Sequence, residues 1–173
     1  MVSFQRPLAS NGRSAPREVV EREGLRVDGG YRSLDRLLQT AAAQITRLEA
    51  PAALSAALAD AVILDIRSQD ARQLRGVIPG SLHIPRTVLE WRIAMDSPWR
   101  NPHLGGLDQR LILICDHGYS SILAASNLVQ LGFDRAGDVV GGFEAWEAHD
   151  LPIAPCRDQL SAPSGLPGMG PPH

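Results

Sequence analysis

The chain has 173 residues, of which 44% are hydrophobic and 21% charged, which is enough for one hydrophobic core but not for two large ones. A formal net charge of −2 leaves no basic excess of the kind that nucleic-acid binding requires, so we expect no nucleic-acid partner. No apolar run is long enough to span a bilayer, and the first residues lack the apolar stretch of a secretory signal. We therefore expect no membrane partner and a cytoplasmic location.

Residues 1–43 are predicted to form an N-terminal extension. Up to about residue 30 the segment mixes arginine, glutamate, serine and glycine with little apolar periodicity, a composition that predicts partial disorder. Ser33, a favoured helix-capping residue, then precedes leucines spaced three or four apart, which predicts an amphipathic helix over about 33–43. We expect this helix to pack on the domain or to cover a partner.

Residues 44–154 alternate predicted helices and strands and form the domain. Pro51 to Ala59 predicts a short alanine-rich helix, which leads into a buried strand over Val62 to Ile66. Gln69 to Leu74 predicts the next helix. Alternation of this kind indicates an α/β fold in which helices cover both faces of a parallel sheet.

The stretch from Arg86 to Arg110 is predicted to be a long connection that begins with a helix ending near Ile93. Long loops in compact domains are often functional, and this one carries side chains that can wall a binding site. The alternative, which we favour, is that its tryptophans pack and its arginines are solvated. The side chains concerned are Trp91, Arg92, Trp99, Arg100 and His103.

A reactive thiol is predicted where the next strand ends. Leu111 to Ile114 is a continuous apolar run typical of a buried strand, and Cys115 follows it directly. After a short polar loop, Ile122 to Leu131 predicts a helix that stops at Gly132. Cys115 is therefore expected at the carboxyl end of a strand, the edge of an open α/β sheet at which ligands bind.

The loop after Cys115 has the composition of an anion-binding nest. The thiolate rather than the thiol is the nucleophile, and clustered amides and helix N-termini favour the charged form. Gly118 permits the positive φ that lets successive N–H groups converge. The alternative is that Cys115 is one more buried strand residue, since free cysteine is among the most buried residue types.

Four segments in order resemble the rhodanese-like sulfurtransferases. The loop resembles that family's active-site loop, and Val62 to Arg67 resembles its strand ending in Asp-x-Arg. Gly76 to Pro85 resembles its second signature, and the closing strand and helix are matched downstream. The resemblance spans about Ile45 to Pro152, and the segments are 62–67, 76–85, 115–121, and 131–134 with 139–146.

The resemblance implies a rhodanese-like fold with a central parallel sheet of about five strands flanked by helices on both faces. It also implies a sulfurtransferase that moves sulfane sulfur from a donor such as thiosulfate to a thiophilic acceptor, here the cyanide of the standard reaction, through a persulfide on Cys115. The partners expected are a small-molecule sulfur donor and acceptor, with a sulfur-relay protein as a further possibility, and no cofactor. The residues expected to bind substrate are Asp116, His117, Gly118, Tyr119, Ser120 and Ser121.

The remaining polar residues near the loop are expected to be structural. Asp65 and Arg67 are predicted to form an ion pair or a cap, and His83 a satisfied core histidine. His117 is not expected to act as a base, because loop amides supply the stabilisation in this family. The histidines and cysteines show no zinc-site spacing, and no metal is expected.

Two loop positions depart from the commonest family pattern. Asp116 and Ser120 stand where many members have arginine. We expect the Asp116 charge to raise the pKa of Cys115 and to repel a dianionic donor, and Ser120 replaces a bidentate guanidinium with a hydroxyl. Weak affinity for thiosulfate is therefore predicted.

Two alternatives to the enzyme remain open. One is an accessory module that binds a partner or relays sulfur from protein to protein, although a positioned thiol in an amide loop favours catalysis. The less favoured alternative is an arsenate reductase or cysteine phosphatase, whose loop is one residue longer and closes with arginine six positions after the cysteine. Here that position is Ser121, which cannot clamp an oxyanion as arginine does.

Residues 155–173 are rich in proline and glycine and are predicted to be a disordered tail. The tail contains the second cysteine, Cys156. Its simplest interpretation is a passive thiol, because a structural disulfide is unexpected in a reducing compartment. The alternative is a thiol that resolves an oxidised or persulfidated Cys115.

Overall fold

The computed structural model describes residues 33–156, and within this range it forms a five-stranded parallel sheet in the order β1-β5-β4-β2-β3. The predicted extension before residue 33 and the tail after residue 156 lie outside the described residues. The strands are β1 Thr46–Leu48, β2 Val62–Asp65, β3 Leu82–His83, β4 Leu111–Ile114 and β5 Ala136–Val139. The helices are α1 Leu34–Ala42, α2 Ala50–Ala59, α3 Gln69–Arg75, α4 Leu89–Ile93, α5 Ser120–Gln130 and α6 Gly142–Ala148.

The α/β fold predicted from the sequence is confirmed, with some differences at the ends of elements. α5 begins at Ser120, two residues before the predicted start, so the end of the loop belongs to the first turn of the helix. β1 was not predicted, because it has only three residues and two of them are exposed, which leaves no alternating or continuous apolar pattern. α1 is present, with the Ser33 hydroxyl accepting from the N–H of Arg36 at 3.3 Å.

The central strand β4 separates two apolar layers. All four of its side chains are buried. Leu111 and Leu113 pack with α4 and α5 on one face, whereas Ile112 and Ile114 pack with α2 and α6 on the other. A strand covered on both faces has a continuous apolar sequence rather than an alternating one, which is why this strand was the clearest in the sequence. None of the helices in residues 33–156 is long and apolar enough to cross a membrane.

A fully buried ion pair fixes the carboxyl end of β2. Two guanidinium nitrogens of Arg67 donate to Asp65, at 2.9 and 2.7 Å, and a third bond goes to the carbonyl oxygen of Gly76 at 2.8 Å. The guanidinium carbon also lies 3.5 Å from the ring centroid of Phe143, at the start of α6. Nε2 of His83 lies 3.0 Å from the carbonyl oxygen of Arg67. The pair thus connects β2 to the end of α3, to β3 and to α6.

We expect Asp65→Ala to lower the free energy of unfolding by about 3–5 kcal/mol, since it leaves the Arg67 guanidinium buried without its carboxylate. Urea denaturation followed by circular dichroism measures the loss. The matched control is Asp60→Ala, which removes an exposed ion pair to Arg135 and should cost less than about 1 kcal/mol. Equal losses for the two variants would contradict the prediction.

Candidate active site

Cys115 lies where the central strand ends and the chain turns toward α5. Its side chain is 5% exposed, and the ends of β2 and β5 flank it, since both strands pair with β4. The parallel register brings the carboxyl ends of all these strands to one edge of the sheet, where ligands bind in open α/β folds. The sequence prediction of a thiol at this edge is confirmed by the position of β4.

The sulfur atom has two close hydrogen-bond partners. The N–H of Gly118 donates to Sγ of Cys115 at 3.1 Å. On the other side, Sγ lies 3.3 Å from Oγ of Ser121, to which the thiol donates. Ser121 is itself fully buried, so it lies behind the sulfur rather than at the surface where a substrate arrives.

The loop keeps its shape because its backbone packs directly on the start of α6. The N–H groups of Phe143 and Glu144 donate to the carbonyl oxygens of Cys115 and Asp116, at 2.8 and 3.0 Å. Gly142 has a φ of +64°, and a Cβ there would lie 2.5 Å from the carbonyl oxygen of Cys115.

Gly118 meets the same constraint from the other side. Its φ is +77°, and a Cβ there would lie 2.7 Å from the amide nitrogen of Gly141. Only glycine adopts this backbone without strain. The two backbones can therefore approach this closely only with glycine on both sides.

The surroundings of Cys115 favour its thiolate. Burial is the largest single influence on the pKa of the thiol and raises it, but the hydrogen-bond donors around the sulfur, led by the Ser120 and Ser121 hydroxyls, together lower it by more. Backbone N–H groups of Ser121 and His117 act in the same direction. The net pKa of Cys115 lies below that of an ordinary cysteine, as expected for a thiol among clustered amides.

The expectation that Asp116 raises the pKa of Cys115 stays a prediction, and other groups outweigh such a contribution, because the net pKa is lowered. The carboxylate of Asp116 lies 3.8 Å from the guanidinium of Arg75, on a side chain that is one-third exposed. A nearby cation and solvent both weaken the field of a carboxylate. Arg75 also forms an ion pair with Glu147, so it joins α3 to both the loop and α6.

The other predicted loop residues divide into two groups. Cys115, Gly118, Ser120 and Ser121 come together around the sulfur. His117 and Tyr119 are exposed, and Nδ1 of His117 lies 3.0 Å from Oε2 of Glu144. Their position at the surface of the loop makes substrate contact a prediction that stays open.

The two tryptophans of the connection before β4 do not wall the site. Trp91 and Trp99 line a groove with Leu131, which follows the last residue of α5, whereas Cys115 precedes the first. An 11-residue helix is about 16 Å long. The tryptophans therefore lie at the opposite end of α5 from the sulfur. The packing interpretation holds only in part, because Trp91 is half-exposed and Arg100, which was expected to be solvated, is half-buried and donates to the carbonyl oxygen of Leu104.

Sequence reasoning missed two charged residues behind the sulfur. The hydroxyl of Ser121 donates to Oδ2 of Asp138 at 3.1 Å, and Asp138 pairs with Arg47 of the edge strand β1. The available signal was an isolated acid within the apolar stretch of β5. Its partner could not be identified from the sequence, because β1 itself was not predicted.

Both cysteines in the described range are free thiols. Cys156 is half-buried, with its sulfur 3.7 Å from Nε2 of Gln69, and a resolving role for it stays a prediction. Within residues 33–156 no three histidine, cysteine or acidic side chains form a cluster that could hold a metal ion.

Comparison with known proteins identifies the domain. The family model of the rhodanese-like domain matches residues 50–149. A thiosulfate sulfurtransferase GlpE from Pseudoalteromonas translucida is 39% identical over 89 residues, which cover 51% of this chain and 75% of that protein. GlpE from Coxiella burnetii is 33% identical over 91 residues, covering 52% of this chain and 75% of its own length.

Solved structures share the fold. A protein of unknown function from Rhodopseudomonas palustris, described as a possible tyrosine phosphatase, superposes with a TM-score of 0.66 at 30% identity, covering 73% of this chain and 98% of that one. A human single-domain sulfurtransferase superposes with a TM-score of 0.52 at 25% identity, covering 61% of this chain and 96% of its own.

Because the pKa of Cys115 is lowered, we expect its alkylation by iodoacetamide to reach half its maximal rate at a lower pH than alkylation of a cysteine in an unstructured peptide. Ser120→Ala removes a hydroxyl that stabilises the thiolate and should move this midpoint to higher pH. Both proteins carry Cys156→Ser, so that one thiol reacts. A midpoint at or above that of the peptide would contradict the prediction.

Proposed function

The chain belongs to the rhodanese-like domain family, and from that premise we propose that it is a sulfurtransferase that carries sulfane sulfur as a persulfide on Cys115. The observation that supports this most directly is the thiol itself. It lies at the carboxyl end of the central strand, accepts an N–H bond from the loop, and has a lowered pKa. Two GlpE relatives named thiosulfate sulfurtransferases favour thiosulfate as the donor.

The proposed reaction has two displacement steps. The Cys115 thiolate attacks the outer sulfur of thiosulfate, a new S–S bond forms, and the S–S bond of thiosulfate breaks with its electron pair leaving on sulfite. A thiophile such as cyanide then attacks the terminal sulfur of the persulfide, which gives thiocyanate and regenerates the thiolate. Dividing the transfer between two easier steps is the benefit of covalent catalysis.

The loop contributes stabilisation rather than proton transfer. Charge moves from Sγ to the terminal sulfur when the persulfide forms, and preorganised N–H donors around the loop stabilise negative charge at both positions. His117 is exposed and lies against Glu144, an arrangement that does not direct it toward the sulfur. No base is needed once the thiol is ionised.

Arg75 affects the binding of an anionic sulfur donor. The sequence suggested that Asp116 repels thiosulfate, but the Arg75 guanidinium beside it offsets that charge. We propose that Arg75, whose charge is shared with Glu147, reduces the negative charge at the mouth of the loop without cancelling it. Donor binding then relies on the loop amides rather than on the arginines present in many relatives.

A phosphatase is the second candidate, favoured by the description of the Rhodopseudomonas palustris structure. The residue that would have to clamp a phosphate is Ser121, which is buried and bonded to Asp138. A carboxylate behind the loop opposes a tetrahedral dianion in front of it, whereas a bidentate arginine would attract one. The side chains thus favour sulfur transfer over phosphate hydrolysis.

We expect the protein to form thiocyanate from thiosulfate and cyanide, and to gain the mass of one sulfur atom when incubated with thiosulfate alone. Cys115→Ala should abolish both, whereas Cys156→Ser should retain both. Absence of turnover and of the mass gain would refute the sulfurtransferase. A mass gain without turnover would instead favour relay to a protein acceptor, and hydrolysis of p-nitrophenyl phosphate that depends on Cys115 would favour the phosphatase.

Arg75→Ala should raise the KM for thiosulfate by up to roughly fivefold with a smaller change in kcat, because an unpaired Asp116 then faces the dianion and partly exposed charge pairs are worth about 0.2–1 kcal/mol. Adding Asp116→Asn should restore the KM. If the double variant keeps the raised KM, Arg75 acts by another route than offsetting Asp116.

A further inference from the structure

Asp138 is a buried charge that the fold alone does not require. It lies in β5, among residues that are otherwise small or apolar, and it is fully buried. Removing a carboxylate from water costs several kcal/mol unless it is paired and hydrogen-bonded. A buried carboxylate at this position suggests a functional role. Asp138 is connected to Cys115 through the hydroxyl of Ser121.

The contacts form a line from the surface to the sulfur. Arg47 lies directly opposite Asp138 in the parallel register of β1 and β5. Its Nε donates to Oδ1 at 2.8 Å and its Nη2 to Oδ2 at 3.2 Å. The same Oδ2 accepts the hydroxyl of Ser121 at 3.1 Å, and Oγ of Ser121 lies 3.3 Å from Sγ of Cys115.

The hydroxyl of Ser121 has one proton and two acceptors that compete for it. When Cys115 is a thiol, S–H donates to Oγ and the hydroxyl donates to Asp138, so every group is satisfied. When Cys115 is a thiolate, the Ser121 hydroxyl donates to the sulfur instead, and Asp138 keeps only its hydrogen bonds from Arg47. Ionisation of Cys115 thus turns the Ser121 hydroxyl away from Asp138.

We propose that Asp138 is a positioning residue that acts through the Ser121 hydroxyl to set the thiolate fraction of Cys115, with Arg47 weakening its hold on that hydroxyl. The Asp138 carboxylate disfavours negative charge on Sγ. The two hydrogen bonds from Arg47 to this carboxylate limit that effect. This role does not require Ser121 or Asp138 to contact a substrate.

The arrangement has a consequence for sulfur loading that rests on the proposed function. The thiolate and thiosulfate are in equilibrium with the persulfide and sulfite, and the total charge is the same on both sides of this reaction. In the persulfide the charge moves to the terminal sulfur, and Sγ becomes neutral, so the Ser121 hydroxyl can return to Asp138. Asp138 therefore favours the loaded state over the empty thiolate.

Other charges around Cys115 differ from Asp138 in lacking a bond to its hydroxyl partner. The loop contributes Asp116 and His117, with Arg75 of α3 and Glu144 of α6 as their partners. β2 contributes Asp65, neutralised by Arg67 and Arg72. Because none of these is bonded to Ser121, their effects on the thiol should not depend on its hydroxyl.

The test measures the pH midpoint of Cys115 alkylation by iodoacetamide, in a Cys156→Ser background and without any sulfur substrate. Asp138→Asn should lower the midpoint by roughly half to one pH unit, the size of one ordinary hydrogen bond. Arg47→Gln should raise the midpoint, because Asp138 without its arginine partner then accepts a stronger hydrogen bond from the Ser121 hydroxyl. A general loosening of the fold would shift the alkylation midpoints of both variants in the same direction.

The same substitutions in a Ser121→Ala background identify the route. There the Asp138→Asn shift should fall to a small fraction of its original size, whereas the shift caused by the control Asp116→Asn should be unchanged. Equal Asp138→Asn shifts with and without Ser121, shifts of the same sign for Asp138→Asn and Arg47→Gln, or no shift at all would overturn the proposal. Circular dichroism establishes that each variant is folded.

The persulfide provides a second readout. At a fixed ratio of thiosulfate to sulfite, the share of protein carrying one extra sulfur by intact mass should be lower for Asp138→Asn than for the parent. An unchanged share would refute the loading effect. If no variant takes up sulfur, the proposed function fails, while the alkylation midpoints still decide the role of Asp138.

Discussion

The contact between two backbones, at Cys115–Gly118 and at Gly141–Gly142, is the constraint on which the rest of the site depends. The N–H groups at the start of α6 hold the carbonyl oxygens of the loop, and a Cβ on Gly118 or Gly142 would occupy the other segment's backbone. This contact fixes the loop so that an N–H group points at the sulfur. A loop held by backbone atoms keeps its shape whichever polar side chains line it, which explains how Asp116 and Ser120 can replace arginines there.

Charge at this edge of the sheet is arranged in compensated pairs. Asp65 with Arg67, Asp138 with Arg47, and Asp116 with Arg75 each place an arginine against an acid. The sulfur is consequently in contact with amides and hydroxyls rather than with a net charge. Neutral donors rather than charges then offset the effect of burial on its pKa, and hydroxyl orientation becomes important because a buried hydroxyl has a single proton to give.

Much of the fold could be predicted, because its central elements have strong patterns. The continuous apolar run of β4 and the glycine-containing loop after it located the thiol to the residue. β1 could not be predicted, since three residues with two of them exposed carry no periodic signal and pair only when β5 is already in place. The arginine beside Asp116 could not be predicted, because it comes from a helix 41 positions earlier in the chain.

By itself the sequence determined the class of fold, the position of the thiol and the family, because these depend on local patterns: a buried strand, a cysteine at its end, and a short loop that continues into a helix. Only the tertiary structure decided what surrounds the sulfur. Ser121, Asp138 and Arg47 are brought together by the parallel register of β1, β4 and β5, and Arg47 and Asp138 are 91 positions apart in the chain. Such pairings leave no local pattern, because the energy of a buried hydrogen bond depends on where the chain folds and not on which residues are neighbours along it.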